Sequence, residues 1–146
     1  DRGWEDKENI LVFSSADDTP LYTVGGEAIN GISVYNYINP NSENKRWKDF
    51  QKAYKEEHNG KAPGSLATNY YDAVYMIKRA IEAKNITGDP KKLAEERKMI
   101  RDYLRNIEKF EGIQLTWTME EGVPDSKGAF LFKIVDGRKE LIKKIN

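Results

Sequence analysis

The chain has 146 residues, of which 24 are basic and 24 acidic, so its formal net charge is zero. Nucleic-acid-binding domains carry a clustered basic excess, and this charge balance therefore argues against a nucleic-acid partner. The absence of cysteine excludes disulfide scaffolds, cysteine-based zinc sites and thiol nucleophiles.

The N-terminal part of the chain predicts two short strands with a weak helix between them. Residues 10–13 form an apolar, β-favouring run that ends in the polar stretch 14–20, which indicates a buried strand leading into a loop. Residues 21–29 favour a short helix that is weakened by two adjacent glycines. A second strand is expected over residues 32–38, where apolar and polar residues alternate only in part.

Three helices are predicted in the middle of the chain. The first opens at residues 39–42, whose Asn and Ser side chains suit an N-cap, and ends at Asn59-Gly60. The second covers residues 66–84, and its apolar positions are so many that burial over much of its circumference is expected. The third follows Asp89-Pro90 and carries an outer face of Lys, Arg and Glu, which is typical of a solvated surface.

The period of the sequence changes from helical to alternating near its end. Residues 113–119 alternate apolar and polar side chains, as in a half-buried strand, and residues 122–128 are expected to form a loop. Residues 129–135 predict a strand, Asp136-Gly137 a hairpin turn, and residues 139–142 a returning edge strand. The sequence therefore predicts a mixed α/β fold with helices in the middle and strands at both ends.

No constellation for catalysis stands out. His58 is the single histidine, and no further metal ligands occur at a suitable spacing around it. A triad of Ser14, His58 and Asp17 has no supporting local motif, and Trp117 is interpreted as strand packing. The sequence thus predicts neither an enzyme nor a bound cofactor.

Five short segments occur in the order and at the spacing found in one family of binding proteins. They are Gly25-Gly26-Glu27-Ala28-Ile29-Asn30-Gly31-Ile32, Trp47-Lys48-Asp49-Phe50-Gln51-Lys52-Ala53-Tyr54, Tyr71-Asp72-Ala73-Val74-Tyr75, Phe110-Glu111-Gly112 and Val135-Asp136-Gly137-Arg138. None is specific alone, but together they make the chain resemble the C-terminal portion of a type I periplasmic solute-binding protein. Within that family, the resemblance is to branched-chain amino acid receptors of ABC transporters.

The resemblance implies a fold of two three-layer α/β/α lobes joined by crossing segments. Residues 1–31 would end lobe two, residues 32–118 would supply lobe-one helices with flanking crossover strands, and residues 119–146 would form a terminal lobe-two hairpin. The helices of such a piece would have bare apolar faces without the remaining sheet. We therefore expect it to pair with an N-terminal part of its receptor or to self-associate.

The resemblance also implies a function in transport. The protein would capture a small polar solute, such as a branched-chain amino acid, and deliver it to the membrane permease of an ABC importer. Its place would be periplasmic or extracellular, with lipid anchoring of the full-length protein as one option. A ligand-sensing receptor domain of the same fold is an alternative, and a small self-associating α/β structural domain is another. The first residues, Asp1 to Glu5, lack an initiator Met and a signal-peptide core, so we expect a mature product or a cleaved piece.

The candidate solute contacts lie in two places. Ser14, Ser15, Asp17 and Asp18 follow the first predicted strand, and ligands of open α/β sheets bind beyond the carboxyl ends of strands. In amino-acid-binding relatives a carboxylate near here holds the solute ammonium, but the matching position in this chain is Ser14. On the resemblance, Tyr71 would offer a hydroxyl to the cleft between the lobes. The alternatives are that the polar cluster caps the following turn or helix, and that Tyr71 packs in the core.

Overall fold

Two β-sheets and four α-helices make up the computed structural model, which describes residues 6–145. The helices are α1 (Thr19–Gly25), α2 (Lys45–Glu57), α3 (Ser65–Ala83) and α4 (Leu93–Leu104). The strands are β1 (Leu11–Phe13), β2 (Ser33–Asn36), β3 (Phe110–Glu111), β4 (Thr116–Glu120), β5 (Val123–Lys127), β6 (Ala129–Val135) and β7 (Arg138–Ile145). Residues 1–5 and 146, at the ends of the first and last predicted segments, lie outside the described residues. No helix among residues 6–145 has the length and apolarity needed to cross a bilayer.

The larger sheet has the strand order β1-β2-β6-β7 and joins the two ends of the chain. Strands β1 and β2 are parallel, and the other neighbours are antiparallel. Its core side chains, Val34, Phe132 and Ile134, are fully buried because β2 and β6 occupy the middle of the sheet. The predicted strand at 10–13 exists, but its predicted burial is wrong: β1 is an edge strand, and Leu11 and Phe13 are exposed.

The smaller sheet is antiparallel, with the order β3-β4-β5. The expected loop at 122–128 is wrong, because residues 123–127 form strand β5 against β4. The reversal between these strands lies at Glu121 and Gly122, with φ angles of 51° and 85°, as a tight hairpin turn requires. Pro124 is accommodated opposite Met119 because β5 is an edge strand and needs no donor on its outer side.

Helix α2 begins later than predicted. Its N-cap is Asn44, whose side-chain oxygen accepts a hydrogen bond from the Arg46 amide at 2.8 Å. The expected cap at 39–42 is wrong because Asn39 forms a turn of its own, with its side chain accepting from the Asn41 amide. The predicted stop is confirmed: Asn59 and Gly60 adopt φ angles of 52° and 78° after the helix ends.

Helix α3 buries Met76 and Ala80 but leaves most of its large apolar side chains exposed. Tyr70 and Val74 are 70% and 61% exposed, whereas the polar Thr68 and Asp72 are buried. Burial over much of the helix, as the sequence predicts, is therefore wrong for this chain. The expectation of a bare apolar helix face is confirmed.

Helix α4 contains an unexpected buried acid. Glu96, predicted to lie on a solvated face, accepts hydrogen bonds from the amide and hydroxyl of Thr87 and from the Gly88 amide, at 2.8, 2.6 and 2.9 Å. These bonds, those of Thr87 first, hold the pKa of Glu96 below its usual value. Glu96 thereby fixes the turn between α3 and α4. Leu93, the first residue of α4, is exposed.

Candidate functional site

Hydrogen bonds of Asp17 hold the loop after β1 against the larger sheet. The side chain of Asp17 has 0% exposure and accepts hydrogen bonds from the hydroxyl of Tyr22 at 2.5 Å, from Nδ2 of Asn36 and from Nζ of Lys139 at 2.6 Å. Burial of Tyr22, followed by its bond to the Asp17 carboxylate, raises the pKa of the phenol. The carboxylate of Asp17 is thus enclosed by three donors from this chain. A contact between Asp17 and a solute stays a prediction.

The other polar residues of this loop lie at or near the surface. Asp18 caps α1, with Oδ1 accepting from the Thr19 amide at 2.7 Å, as the capping alternative expects. Ser15 is exposed and Ser14 is half-buried. The loop therefore presents two hydroxyls and the second oxygen of the Asp18 carboxylate near the carboxyl end of β1.

Tyr71 lies in the wall of a cavity of about 530 Å³ between α2, α3 and β3. Its ring centroid is 5.0 Å from that of Phe50 and 4.6 Å from that of Tyr75. The side chain is 41% exposed, so it is not enclosed in a core. Its hydrogen bond with Tyr75, followed by partial burial, raises the pKa of Tyr71 to about 12. The remaining lining residues are mainly apolar or charged: Arg46, Asp49, Ala53, Asp72, Phe110, Glu111, Gly112 and Ile113.

The floor of this cavity is built around Asp72, which the sequence alone did not single out. Its carboxylate accepts hydrogen bonds from the Ile113 amide at 3.0 Å and from Nε1 of Trp117 at 2.9 Å. Burial raises the pKa of Asp72 against the opposing effect of these two bonds. Gly112 is needed here, because a Cβ at that position would lie 2.1 Å from Oδ2 of Asp72. The one signal in the sequence is an acid within an otherwise apolar helix segment.

The two candidate regions do not touch. Within residues 6–145 no hydrogen bond or ring contact joins Tyr71 to the loop of residues 14–18. His58 takes no part in either region and stacks on Tyr54 at a centroid distance of 4.0 Å. The same range holds no cluster of His, Asp and Glu suited to a metal ion.

Comparison with known proteins adds to this geometry. The sequence model of the periplasmic binding protein family matches residues 1–137. The chain belongs to the periplasmic binding protein family. Its mixed α/β fold is that of the type I members, as the following solved structures show.

Three solved structures illustrate what this periplasmic binding protein resembles. A leucine binding protein from Thermotoga maritima is 27% identical, with a TM-score of 0.71, over 94% of this chain and 37% of that one. An ABC transporter substrate-binding protein from Desulfitobacterium hafniense in complex with Leu is 24% identical, with a TM-score of 0.62, over 90% and 35% of the two chains. A solute binding protein from Rhodopseudomonas palustris BisB5, in complex with 3,4-dihydroxy benzoic acid, is 18% identical, with a TM-score of 0.71, over 93% and 36%. The last two show the fold alone.

The periplasmic binding protein chain spans little more than a third of the length of these relatives, 37% in the Thermotoga case. A search among curated proteins gave no match.

Proposed function

We propose that this chain is part of the solute-binding component of an ABC importer and that its solute is a branched-chain amino acid such as leucine. The observation that carries the proposal is the 27% identity to a leucine binding protein over 94% of this chain. The protein would bind its solute without chemical conversion and pass it to a membrane permease. This role requires an extracytoplasmic place, as the family implies.

Two regions of the structure offer groups that suit different parts of an amino acid. The loop after β1 offers the hydroxyls of Ser14 and Ser15 and the carboxylate of Asp18, groups that can bind the ammonium or carboxylate of the solute. The cavity beside Tyr71 offers aromatic walls, which suit an apolar side chain, and a phenolic hydroxyl for a polar end. We infer that closure of one region toward the other would bring both onto one solute.

The proposed division into lobes supports this arrangement. Residues 32–118 would belong to lobe one with its crossover strands, while residues 1–31 and 119–146 would belong to lobe two. The larger sheet contains β1 from the first outer segment and β6 and β7 from the last, which agrees with placing both outer segments in one lobe. The loop of residues 14–18 would then face the cleft from lobe two and Tyr71 from lobe one.

The exposed apolar side of α3 indicates a missing partner surface. Its members include Tyr70, Val74 and Ile77, and monomeric proteins rarely leave such a contiguous patch uncovered. We propose that further receptor chain covers it in the complete protein and that the 146-residue chain alone self-associates through it. Light scattering across a concentration series tests this, since a monomer at every concentration would contradict self-association. An assembly whose mass is unchanged by every added solute would instead favour the alternative of a structural domain.

Calorimetric titration with L-leucine, L-valine and glycine tests the solute assignment. We expect leucine and valine to bind more tightly than glycine, because the cavity wall is aromatic. Removal of one hydroxyl in Tyr71→Phe is expected to weaken leucine binding by about tenfold, which corresponds to about 1.4 kcal/mol. Tyr103→Phe, which removes a hydroxyl on α4, is the matched control and should leave the affinity unchanged. Equal affinities for Tyr71→Phe and the parent chain would contradict the role of Tyr71.

A further inference from the structure

Gln114 joins two chain segments that are far apart in sequence. Its Nε2 donates to the Asn39 carbonyl oxygen at 3.0 Å, and its Oε1 accepts from the Asn39 amide at 2.9 Å. One side chain thus pairs with both backbone groups of one residue, as a neighbouring strand would. A two-point contact fixes the position of one segment along the other, which a single bond cannot do.

The segment that contains Asn39 leads to the loop after β1. Asn36, which is buried, accepts a hydrogen bond from the Ile38 amide at 3.1 Å through Oδ1, and its Nδ2 donates to the Asp17 carboxylate. Asp17 lies between Ser15 and Asp18 in sequence and holds their loop to the sheet. Asn39 is therefore connected to the first candidate region through its peptide bond to Ile38 and through the hydrogen bonds of Asn36.

The segment that contains Gln114 leads to the second candidate region. The adjacent Ile113 amide donates to Oδ1 of Asp72 at 3.0 Å, and Trp117, three residues further on, donates to Oδ2 at 2.9 Å. Asp72 directly follows Tyr71 on α3. Asp72 therefore links the helix turn that carries Tyr71 to the backbone beside Gln114.

Other contacts around this point do not replace Gln114. The indole of Trp47 donates to the Pro40 carbonyl oxygen at 3.1 Å, and Arg46 donates to the Glu111 carbonyl oxygen at 2.9 Å, so each of these bonds ties helix α2 to one segment. Trp47 also packs with Ile38 and Ile113, but apolar contact is non-directional and does not set register. Among residues 6–145, the hydrogen bonds made directly between the two segments are those of Gln114.

We propose that Gln114 is a positioning residue that aligns the segment leading to the loop of residues 14–18 with the segment leading to Tyr71, and so narrows the range of separations from which the two regions close on one solute. This inference rests on the solute-binding function proposed above. Gln114 itself contacts no solute in this arrangement; it acts through Asn39 on one side and through the backbone near Asp72 on the other.

The absence of cysteine makes a direct distance measurement practical, because labels attach only where cysteine is introduced. Nitroxide labels on Ala16→Cys and Ala73→Cys, two exposed positions beside the candidate regions, report their separation by pulsed electron spin resonance. In Gln114→Met, which keeps the side-chain length but loses both hydrogen bonds, we expect the distance distribution to broaden by about twofold or its mean to shift by about 2 Å, because untethered hinge segments absorb backbone rotation.

Gln51→Met is the matched control, since Gln51 is half-buried on α2 and its side chain makes no hydrogen bond within residues 6–145. It should leave the distance distribution unchanged. If the distance distribution has the same width and the same mean in Gln114→Met as in Gln51→Met, the inference is overturned whether or not any solute binds.

A titration with L-leucine supplies the functional measurement, at a temperature where every variant is folded. Gln114→Met is expected to weaken leucine binding by about tenfold relative to Gln51→Met, equivalent to the loss of about 1.4 kcal/mol. A changed distance with unchanged affinity would also overturn the positioning role. If the parent chain binds no leucine, the solute assignment fails, while the label distances still decide whether Gln114 positions the two regions.

Discussion

Substitution of Gly112 by alanine tests how closely Asp72 is held. The added Cβ would lie 2.1 Å from Oδ2 of Asp72 and 2.7 Å from its Cγ, whereas ordinary contacts begin near 3.4 Å. Either the carboxylate or the backbone must therefore move by more than about 1 Å. The φ angle of Gly112 is not in the left-handed region, so backbone strain plays no part.

The loss of unfolding free energy in Gly112→Ala can be worked out from the hydrogen bonds that this movement breaks. The carboxylate accepts from the Ile113 amide and from the Trp117 indole, and hydrogen bonds to charged groups contribute about 1.5–3 kcal/mol each. Loss of both would cost about 3–6 kcal/mol, and shared movement of the backbone favours the lower end. We expect Gly112→Ala to lower the free energy of unfolding by about 3 kcal/mol.

Urea denaturation followed by far-UV circular dichroism measures this difference, at one protein concentration because self-association shifts apparent stability. Gly64→Ala is the control: no atom lies within 4 Å of its added Cβ, and an alanine at this N-cap position should cost no more than about 1 kcal/mol. The decisive comparison repeats Gly112→Ala in the Asp72→Ala background, where the clash is gone and the cost should fall below about 1 kcal/mol. Equal costs in both backgrounds would refute the steric explanation.

Three further predictions follow from the same elements. Burial raises the pKa of Asp72, so its contribution to stability is present below its ordinary value of 3.8 and declines as the pH rises through the raised value. The unfolding free energy of the parent chain minus that of Asp72→Asn should therefore fall from acid to neutral pH, and a difference that rises with pH would contradict this. Tyr75→Phe should lower the pKa of Tyr71 from about 12 toward 10.0 in an NMR titration, since the bond to Tyr75 is the main cause of the shift; an unchanged value would point to burial instead. Val74→Lys on the exposed side of α3 should reduce the mass measured by light scattering more than Ala73→Lys does, and equal masses would place the association surface elsewhere.

The sequence predicts those parts of the fold that depend on local chemistry. Strand β6 coincides with the predicted range 129–135, and the turn at Asp136-Gly137 has φ angles of 48° and 70°. Both follow from short-range rules: alternating apolar residues in a strand and positive φ in a tight hairpin. The end of α2 at Asn59 and Gly60 has the same origin.

The errors arise where distant residues decide the structure. The sequence predicts a loop over residues 122–128 because Pro124 and Asp125 disfavour strands, yet pairing with β4 on one side suffices to hold strand β5. The apolar periodicity of α3 predicts an apolar face but cannot say whether a partner is present to cover it. The N-cap of α2 is Asn44 because the side chain of Asn39 forms a turn of its own, while the backbone of Asn39 pairs with Gln114, a distant contact that no local pattern predicts.

For the candidate residues, the sequence predicts polar groups near the surface but not the contacts that hold them. The loop after β1 and Tyr71 were expected to offer polar groups, and Ser15, Asp18 and Tyr71 are exposed. The enclosure of Asp17 depends on Lys139, which is 19% exposed and lies at the other end of the chain, so spacing alone could not reveal it. Solute contact by these residues stays a prediction until binding is measured.

The strand order β1-β2-β6-β7 also bears on how this chain is made. Ser33 pairs with Lys133, so the inner edge of β2 has no partner until about 100 further residues have been synthesised. Pairing between distant segments is slow to form and leaves strand edges open in the meantime. During translation β1 and β2 would therefore remain without their antiparallel partner until the β6–β7 hairpin has emerged, so that completion of the larger sheet is a late step in folding.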